Sequence, residues 1–427
     1  MAVAPPGTSP RPCLPPQVPR TARPDRVSAA RWRRLRRRSR ARWWPRRLAA
    51  RLGDRLGATD RLVLQLYLLT RIGLWITAYC TGWVFATGPD AHEPATVLSR
   101  WDQWDWGHFQ HIAEYGYFDT AHSDSGRPDN REAFFPGFPL VLRALHLLVP
   151  DWVVAGLLIS LAAGAVAVLA LARIARLSAG AGAGERAVLL LLLSPCTVFL
   201  AAGYTESLFL ALALPAWLAA KRGRWPLAAV LAAGATATRV SGLFLAAALA
   251  AEFLLARDGR RTWRSLPWLA LPALPALLYT WYLHARTGDW MAWKHAQERG
   301  WNRAFHPPWE AWAHTWNAAF DGSYTTGYAL MFQAELAAMT VGVLLLGLLL
   351  WRRRWSEAVY IGLSLWALGT SYWYVSVPRA TLLWWPLWAG LAAWSLRRPW
   401  VKNAYLCAVA PLATVFAVAF TSGHWAG

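Results

Sequence analysis

Long apolar runs separated by short arginine clusters constrain this chain more than any other feature. A helix needs about 20 predominantly apolar residues to cross a hydrocarbon core. The runs predict spans near 63–87, 152–173, 187–202, 205–220, 225–238, 240–256, 266–284, 329–351, 357–376, 380–396 and 403–421, several of them short. With 56% hydrophobic and 16% charged residues, the fold class expected is an all-α polytopic membrane protein, and two or three soluble domains are excluded.

The net charge of +21 is unevenly placed. Residues 1–60 hold 16 Arg against 3 acids, so this Arg/Pro-rich stretch is expected to be a largely disordered cytoplasmic tail, followed by one transmembrane domain over 61–427. Residues 31–48 mix Arg with Trp and suit either an anionic lipid surface or a plain topology signal. Such an excess ahead of the first span reads as a membrane anchor and not as a nucleic-acid site. The first 30 residues are Pro- and Arg-rich without an apolar core, so no signal peptide is expected there and the first span is expected to direct its own insertion. The scarcity of Lys (221, 294 and 402 only) beside so much Arg and Ala suggests a GC-rich bacterial genome. Cys13, Cys80, Cys196 and Cys407 show no metal or disulfide spacing and read as buried thiols.

Positive charge sorts to the cytoplasmic side of a membrane protein. The tail, Arg173, Arg176 and Arg186, the cluster 221–224, the cluster 257–264, the triplet 352–354, and Arg397 and Arg398 with Lys402 all share that side if eleven spans start inside. The stretch 134–148 is then too short to cross; it has two prolines near its start and holds Arg143 and His146, and it is expected to lie as a helix in the outer interface. The same count puts the 88–134 part of an outer loop 88–151, the turns 203–206 and 238–241, the outer loop 285–328, and Pro378-Arg379 together on the opposite face. Arg239 and Arg379 abut apolar runs there, where an ionisable side chain is costly and more often functional than snorkelling. The aromatic loop 285–328 suits a membrane interface or a sugar ring.

Residues 100–139 carry Asp102, Asp105, Glu114 and Glu132 with His108 and His111 between them. Acids beside histidines allow several chemistries. An Asp can act as general base towards an attacking hydroxyl; a phosphate leaving group then needs no strong acid, and Arg239 or Arg379 can hold its charge. Asp105, His108 and His111 follow at i+3 steps of a helix and could converge on a divalent metal. An acid pair also serves glycoside hydrolysis. A purely structural use, anchoring and capping a helix at the membrane surface, stands beside these.

The run from Trp104-Asp105 through His108-Phe109, Ile112-Ala113-Glu114 and Gly116-Tyr117 to the 134–139 segment Phe-Phe-Pro-Gly-Phe-Pro resembles the PIG-V type of mannosyltransferase among the GT-C glycosyltransferases. Ser194-Pro195 continuing to Gly203-Tyr204-Thr205-Glu206-Ser207, and Arg239-Val240-Ser241-Gly242, extend the likeness in the same order over roughly 100–245. The resemblance implies a GT-C-like bundle of about eleven transmembrane helices with a catalytic first outer loop. It implies inverting transfer of mannose from a polyprenyl- or dolichyl-phosphate donor on the non-cytoplasmic face, with an Asp of that loop as base. Alignment through Ile-Ala-Glu-x-Gly-Tyr points to Asp105. Gln103-Trp104 departs from the family's Arg-Trp, however, and Arg100-Trp101-Asp102 restores that triplet, so both acids stand as catalytic candidates.

The site expected is Asp105 and Asp102 for catalysis, with His108, Glu114, Glu132, Tyr204, Glu206, Arg239 and Arg379 binding substrate. No cofactor is required, although a divalent metal is left open. Expected partners are the lipid-linked sugar donor, a glycan, glycolipid or glycoprotein acceptor, and membrane lipids, with no nucleic acid. The protein is expected to be a multi-pass protein of the cell membrane, N-terminus cytoplasmic and active site extracytoplasmic. Two rival readings are a transporter or flippase of lipid-linked sugar intermediates, and a binding or assembly protein with a decayed site.

Overall fold

A computed structural model describes residues 57–84, 96–122, 130–256, 260 and 263–427, and one compact unit begins at Ala58. The expected tail through residue 56, and residues 88–95 and 123–129 of the first loop, lie outside the described residues. All described regular structure is helical. The longer helices are α1 (Ala58–Val84), α2 (Asp105–Glu114), α3 (Gly137–His146), α4 (Trp152–Ala179), α5 (Ala183–Leu192), α6 (Thr205–Lys221), α7 (Trp225–Thr238) and α8 (Ser241–Leu255). A 3₁₀ stretch, Trp263–Ala273, leads into α9 (Leu274–Thr287), followed by α10 (Ala292–Trp301), α11 (Pro308–Phe320), α12 (Thr326–Trp351) and α13 (Trp355–Gly369). A short helix, α14 (Val377–Ala380), precedes α15 (Trp385–Arg397), α16 (Pro399–Ala404) and α17 (Ala410–Thr421).

This is a multi-pass membrane protein. Among the described residues, five helical segments are long and apolar enough to cross a bilayer: Ala58–Gly82, Trp152–Ala179, Trp263–Thr287, Thr326–Trp351 and Pro399–Thr421. Each of the eleven expected spans falls on a helix; of the other six, 205–220, 225–238 and 240–256 are met by α6, α7 and α8 to within a residue at each end, while 187–202, 357–376 and 380–396 are helical over less than their expected length. The 187–202 run, for example, is helical only to Leu192. Ser194 turns back to donate to the Leu191 carbonyl at 2.7 Å, Pro195 follows, and the chain continues as a 3₁₀ turn, Thr197–Leu200. The loop 285–328 is largely helical, as α10 and α11. The 134–148 segment forms α3, ten residues long, with Phe138 and Leu142 buried and Leu140, Val141, Leu147 and Leu148 exposed.

Between lipid-embedded helices the apolar driving force is weak, so close packing of small residues holds them together. On α4 the rows Ala155-Ile159-Ala163-Ala167 and Gly156-Ser160-Gly164-Val168 are buried at four-residue spacing. A Cβ on Gly164 would lie 2.3 Å from the Tyr67 hydroxyl oxygen, and in its absence that hydroxyl donates to the Leu161 carbonyl at 2.9 Å. The opposite face of α1 exposes Leu68, Leu69, Ile72 and Ile76.

The turns that join the helices from α6 onwards gather at two ends. At one end the basic turns meet: Lys221 pairs with Glu252 at 2.8 Å, Ser356 donates to the same acid at 2.7 Å, and Arg354 pairs with Glu357. At the other end lie the polar turns that make the site. Of the cysteines described, Cys196 is buried, Cys80 half-buried and Cys407 exposed, so the expectation of buried thiols fails at Cys407, which sits on an outward face of the last helical segment.

Candidate active site

A cavity of about 730 Å³ opens where the turns before α2, α6 and α8, the end of α10, and the turn before α14 converge. Its wall includes Asp105, Phe199, Tyr204, Thr205, Arg239, Trp301, Arg303 and Arg379. The five polar segments grouped on one face from the sequence therefore each contribute to it.

The geometry of the acid loop separates the two aspartates. Trp104 lies between them at φ 51°, a left-handed conformation that is costly for a bulky residue and is held only when the surroundings enforce it. Its indole donates to the His424 carbonyl at 3.1 Å. Asp102, on the near side of this turn, is exposed and outside the cavity wall; Asp105, on the far side, opens α2 and faces the cavity. Trp106 anchors the loop. Its ring fills the space between Gly156 and Gly203, where a Cβ on either would lie 2.4 Å from the indole.

Asp105 is tied into a buried charge network. Arg379 donates from Nη1 to Asp105 Oδ2 at 2.7 Å and from Nε to Glu206 Oε1 at 2.5 Å. Arg239 donates from Nη1 to the same Glu206 oxygen at 2.6 Å and to Thr205 Oγ1 at 2.6 Å. Glu206 is 0% exposed, and its Oε2 has no partner. Burial pulls the Arg379 guanidinium down, but the charges of Glu206 and Asp105 more than reverse this and hold it above its ordinary value. At Arg239 burial prevails over Glu206, and its pKa is lowered. Tyr204 stacks under Arg379, whose Cζ is 4.8 Å from the ring centroid, and donates to the Gln103 carbonyl at 2.6 Å. Burial, then the charge of Asp105, pushes the Tyr204 hydroxyl well above its usual range, so it remains a donor.

Several expected residues lie elsewhere. His108 stacks on Phe134 with ring centroids 5.0 Å apart, behind the cavity wall. Glu114 stands at the far end of α2, nine residues from Asp105 and so about 13 Å along the axis. Glu132 offers its backbone carbonyl to the Tyr279 hydroxyl at 2.9 Å and does not line the cavity. His111 turns to Asp119 at 3.5 Å, so the row Asp105, His108 and His111 does not converge. Among the described residues no three His, Cys, Asp or Glu side chains are grouped to hold a metal ion.

Other wall residues were not singled out from the sequence. Trp293, Lys294, Gln297 and Trp301 form one face of α10, and Trp293 and Gln297 both donate to the Ala133 carbonyl at 3.1 Å. Arg303 follows α10. Glu335, 0% exposed within the apolar α12, accepts from the Ser376 amide at 2.7 Å and the Val377 amide at 2.8 Å, gripping the turn that carries Arg379. The aromatic richness of 285–328 hinted at the α10 face; a lone acid inside an apolar run gave no hint of a partner forty residues on.

Residues 131–285 match the family model described as dolichyl-phosphate-mannose-protein mannosyltransferase. Human (Homo sapiens) GPI alpha-1,6-mannosyltransferase 2 is 37% identical over 160 residues, 34% of this chain and 30% of that protein. The Mus musculus protein of the same name is 32% identical over 214 residues, 47% of this chain and 41% of its own length. This chain is similar to the PIG-V type mannosyltransferases. The PIG-V-like chain spans about a third of the length of the curated relatives it matches. The family-model match includes Tyr204, Glu206 and Arg239, while Asp105, Arg303 and Arg379 lie outside its limits. Among solved structures, ArnT from Cupriavidus metallidurans, bound to undecaprenyl phosphate, aligns over 86% of the PIG-V-like chain and 76% of its own, at 15% identity and a TM-score of 0.44.

Proposed function

We propose that the chain is an integral-membrane glycosyltransferase of GT-C type. It moves mannose from a polyprenyl-phosphate donor to an acceptor hydroxyl on the non-cytoplasmic face, with inversion and Asp105 as general base. The observation that carries this reading is the Asp105 carboxylate at the wall of a cavity that also gathers three arginines. The similarity to mannosyltransferases supports the class of sugar and donor. The acceptor hydroxyl of a glycan, glycolipid or glycoprotein attacks the anomeric carbon and its proton passes to Asp105. The bond from that carbon to the phosphate oxygen breaks, and the electron pair leaves with the phosphate, whose charge needs cations and no strong acid. Side chains supply both the proton acceptor and the cations, so the scheme uses no metal. Arg379 and Arg239 orient Asp105 and Glu206, the aromatic α10 face receives a sugar ring, and Asp102 stays outside the chemistry.

The test is transfer from polyprenyl-phosphate mannose by purified D105N and D102N. Loss of a positioned base costs about 100-fold or more, so D105N falls by that factor while D102N stays near the parent rate. Full transfer by D105N refutes the assignment. Mass spectrometry of surface glycans and glycolipids from a strain lacking the chain identifies the acceptor.

A further inference from the structure

Three arginines reach the cavity, and two of them are committed to carboxylates. Arg379 holds Asp105 and Glu206, and Arg239 shares Glu206. Lys294, the other cation of the wall, pairs with Glu298 at 3.3 Å. Arg303 differs. Its Nη2 donates to the Val375 carbonyl at 3.3 Å, its Nε is buried without an acceptor, and no carboxylate among the described residues stands within ion-pair distance. The charges of Glu335 and Asp105 reach it from beyond ion-pair distance, and each Glu335 oxygen accepts a backbone amide, from Ser376 and Val377. A charged N–H withdrawn from water without an acceptor, as at this Nε, is costly, and that cost falls when an anion arrives. Planar paired N–H groups match phosphate oxygens.

We propose that Arg303 is the anion subsite of the cavity and takes the donor's phosphate, with Arg239 and Arg379 serving the carboxylates and not the phosphate. This rests on the lipid-phosphate donor proposed above and moves the phosphate away from the two arginines that sequence alone had favoured. Burial and the like charge of Arg239 push Arg303 down to about 10, so it is still cationic at neutral pH.

The full chain in nanodiscs is titrated with polyprenyl phosphate and with the uncharged polyprenol, read by tryptophan fluorescence. The parent is expected to prefer the phosphate by about tenfold or more, as charge-assisted hydrogen bonds imply. R303Q brings that ratio close to one while polyprenol binding holds. A residue that merely braces Val375 would weaken both ligands alike and leave the ratio unmoved, which overturns the proposal. R303M, neutral but of similar packing volume, repeats the test if R303Q fails to assemble. A preserved ratio in the Arg303 variants with loss in R239Q also overturns it, yet leaves the donor reading intact. A parent without phosphate preference sinks both. Competition by inorganic phosphate in the parent, absent in R303Q, assigns the subsite to the headgroup alone; competition only by lipid phosphate assigns it to headgroup and chain together.

Discussion

Arg379 reaches Asp105 across 274 residues of sequence, donating from Nη1 to Oδ2 at 2.7 Å, and the same guanidinium holds Glu206 from Nε. One planar fork thereby fixes two acids from different loops, and the carboxylate proposed as base is aimed by a residue far along the chain.

Removing that fork leaves two acids without their cation. R379Q is expected to lower thermal stability by about 3–5 kcal/mol, the cost of breaking a buried pair from one side, and to reduce transfer by about 100-fold. R379K restores charge but not the fork, so it recovers part of the stability and little of the rate. Melting curves and initial rates on the same preparations separate the two effects, and full activity in R379K refutes the geometric role.

The turn before Arg379 is tested through Glu335. Its carboxylate accepts two backbone amides, one of them from Ser376, itself at φ 66°. E335A leaves the buried Val377 amide and the partly exposed Ser376 amide without their acceptor and is expected to cost about 1–3 kcal/mol for the buried one and less for the other. E335Q keeps one acceptor oxygen and costs less. If both variants melt with the parent, the grip on this turn is not structural.

Trp106 sits where two glycines make room for it. G203A is expected to overpack the indole, cost about 1–3 kcal/mol, and slow transfer by displacing Asp105. Gly107, with nothing within 4 Å of its missing Cβ, provides the control: G107A leaves melting temperature and rate within error or slightly raised.

Tyr204 gives a pH signature. Its hydroxyl is raised well above the ordinary value by burial, so the native state binds this proton more tightly than the unfolded chain. The resulting stability is complete below about pH 10 and is lost as pH rises through the higher native value. Y204F removes the bond to Gln103, costs about 1 kcal/mol, and flattens the alkaline fall in melting temperature. An unchanged alkaline limb in Y204F assigns that fall to another group.

Much of the site was legible in the sequence because ionisable residues stand out in an apolar chain. Tyr204, Glu206, Arg239 and Arg379 were recognisable as polar residues at the ends of apolar runs, and the alternation of basic turns grouped them with Asp105 before any contact was known. Alignment favoured Asp105 but left Asp102 open; that only Asp105 faces the cavity was not legible, since it turns on the left-handed backbone at Trp104, and tryptophan carries no signal for that conformation. Arg303 and Glu335 were missed because their roles depend on the 375–377 turn, which neither adjoins in sequence. The eleven apolar runs were found as helices, but not all of their lengths: breaks such as the one at Ser194-Pro195 follow from local hydrogen bonding that hydropathy does not register.

The Trp106 peg between Gly156 and Gly203 has a mechanical consequence. With no side chain on either wall, the gap between α4 and the turn ahead of α6 sets, together with Arg379, how deep the neighbouring acid sits. A bilayer whose thickness tilts those helices is expected to change the gap, so the sugar transfer proposed for this site is expected to vary with the lipid around it.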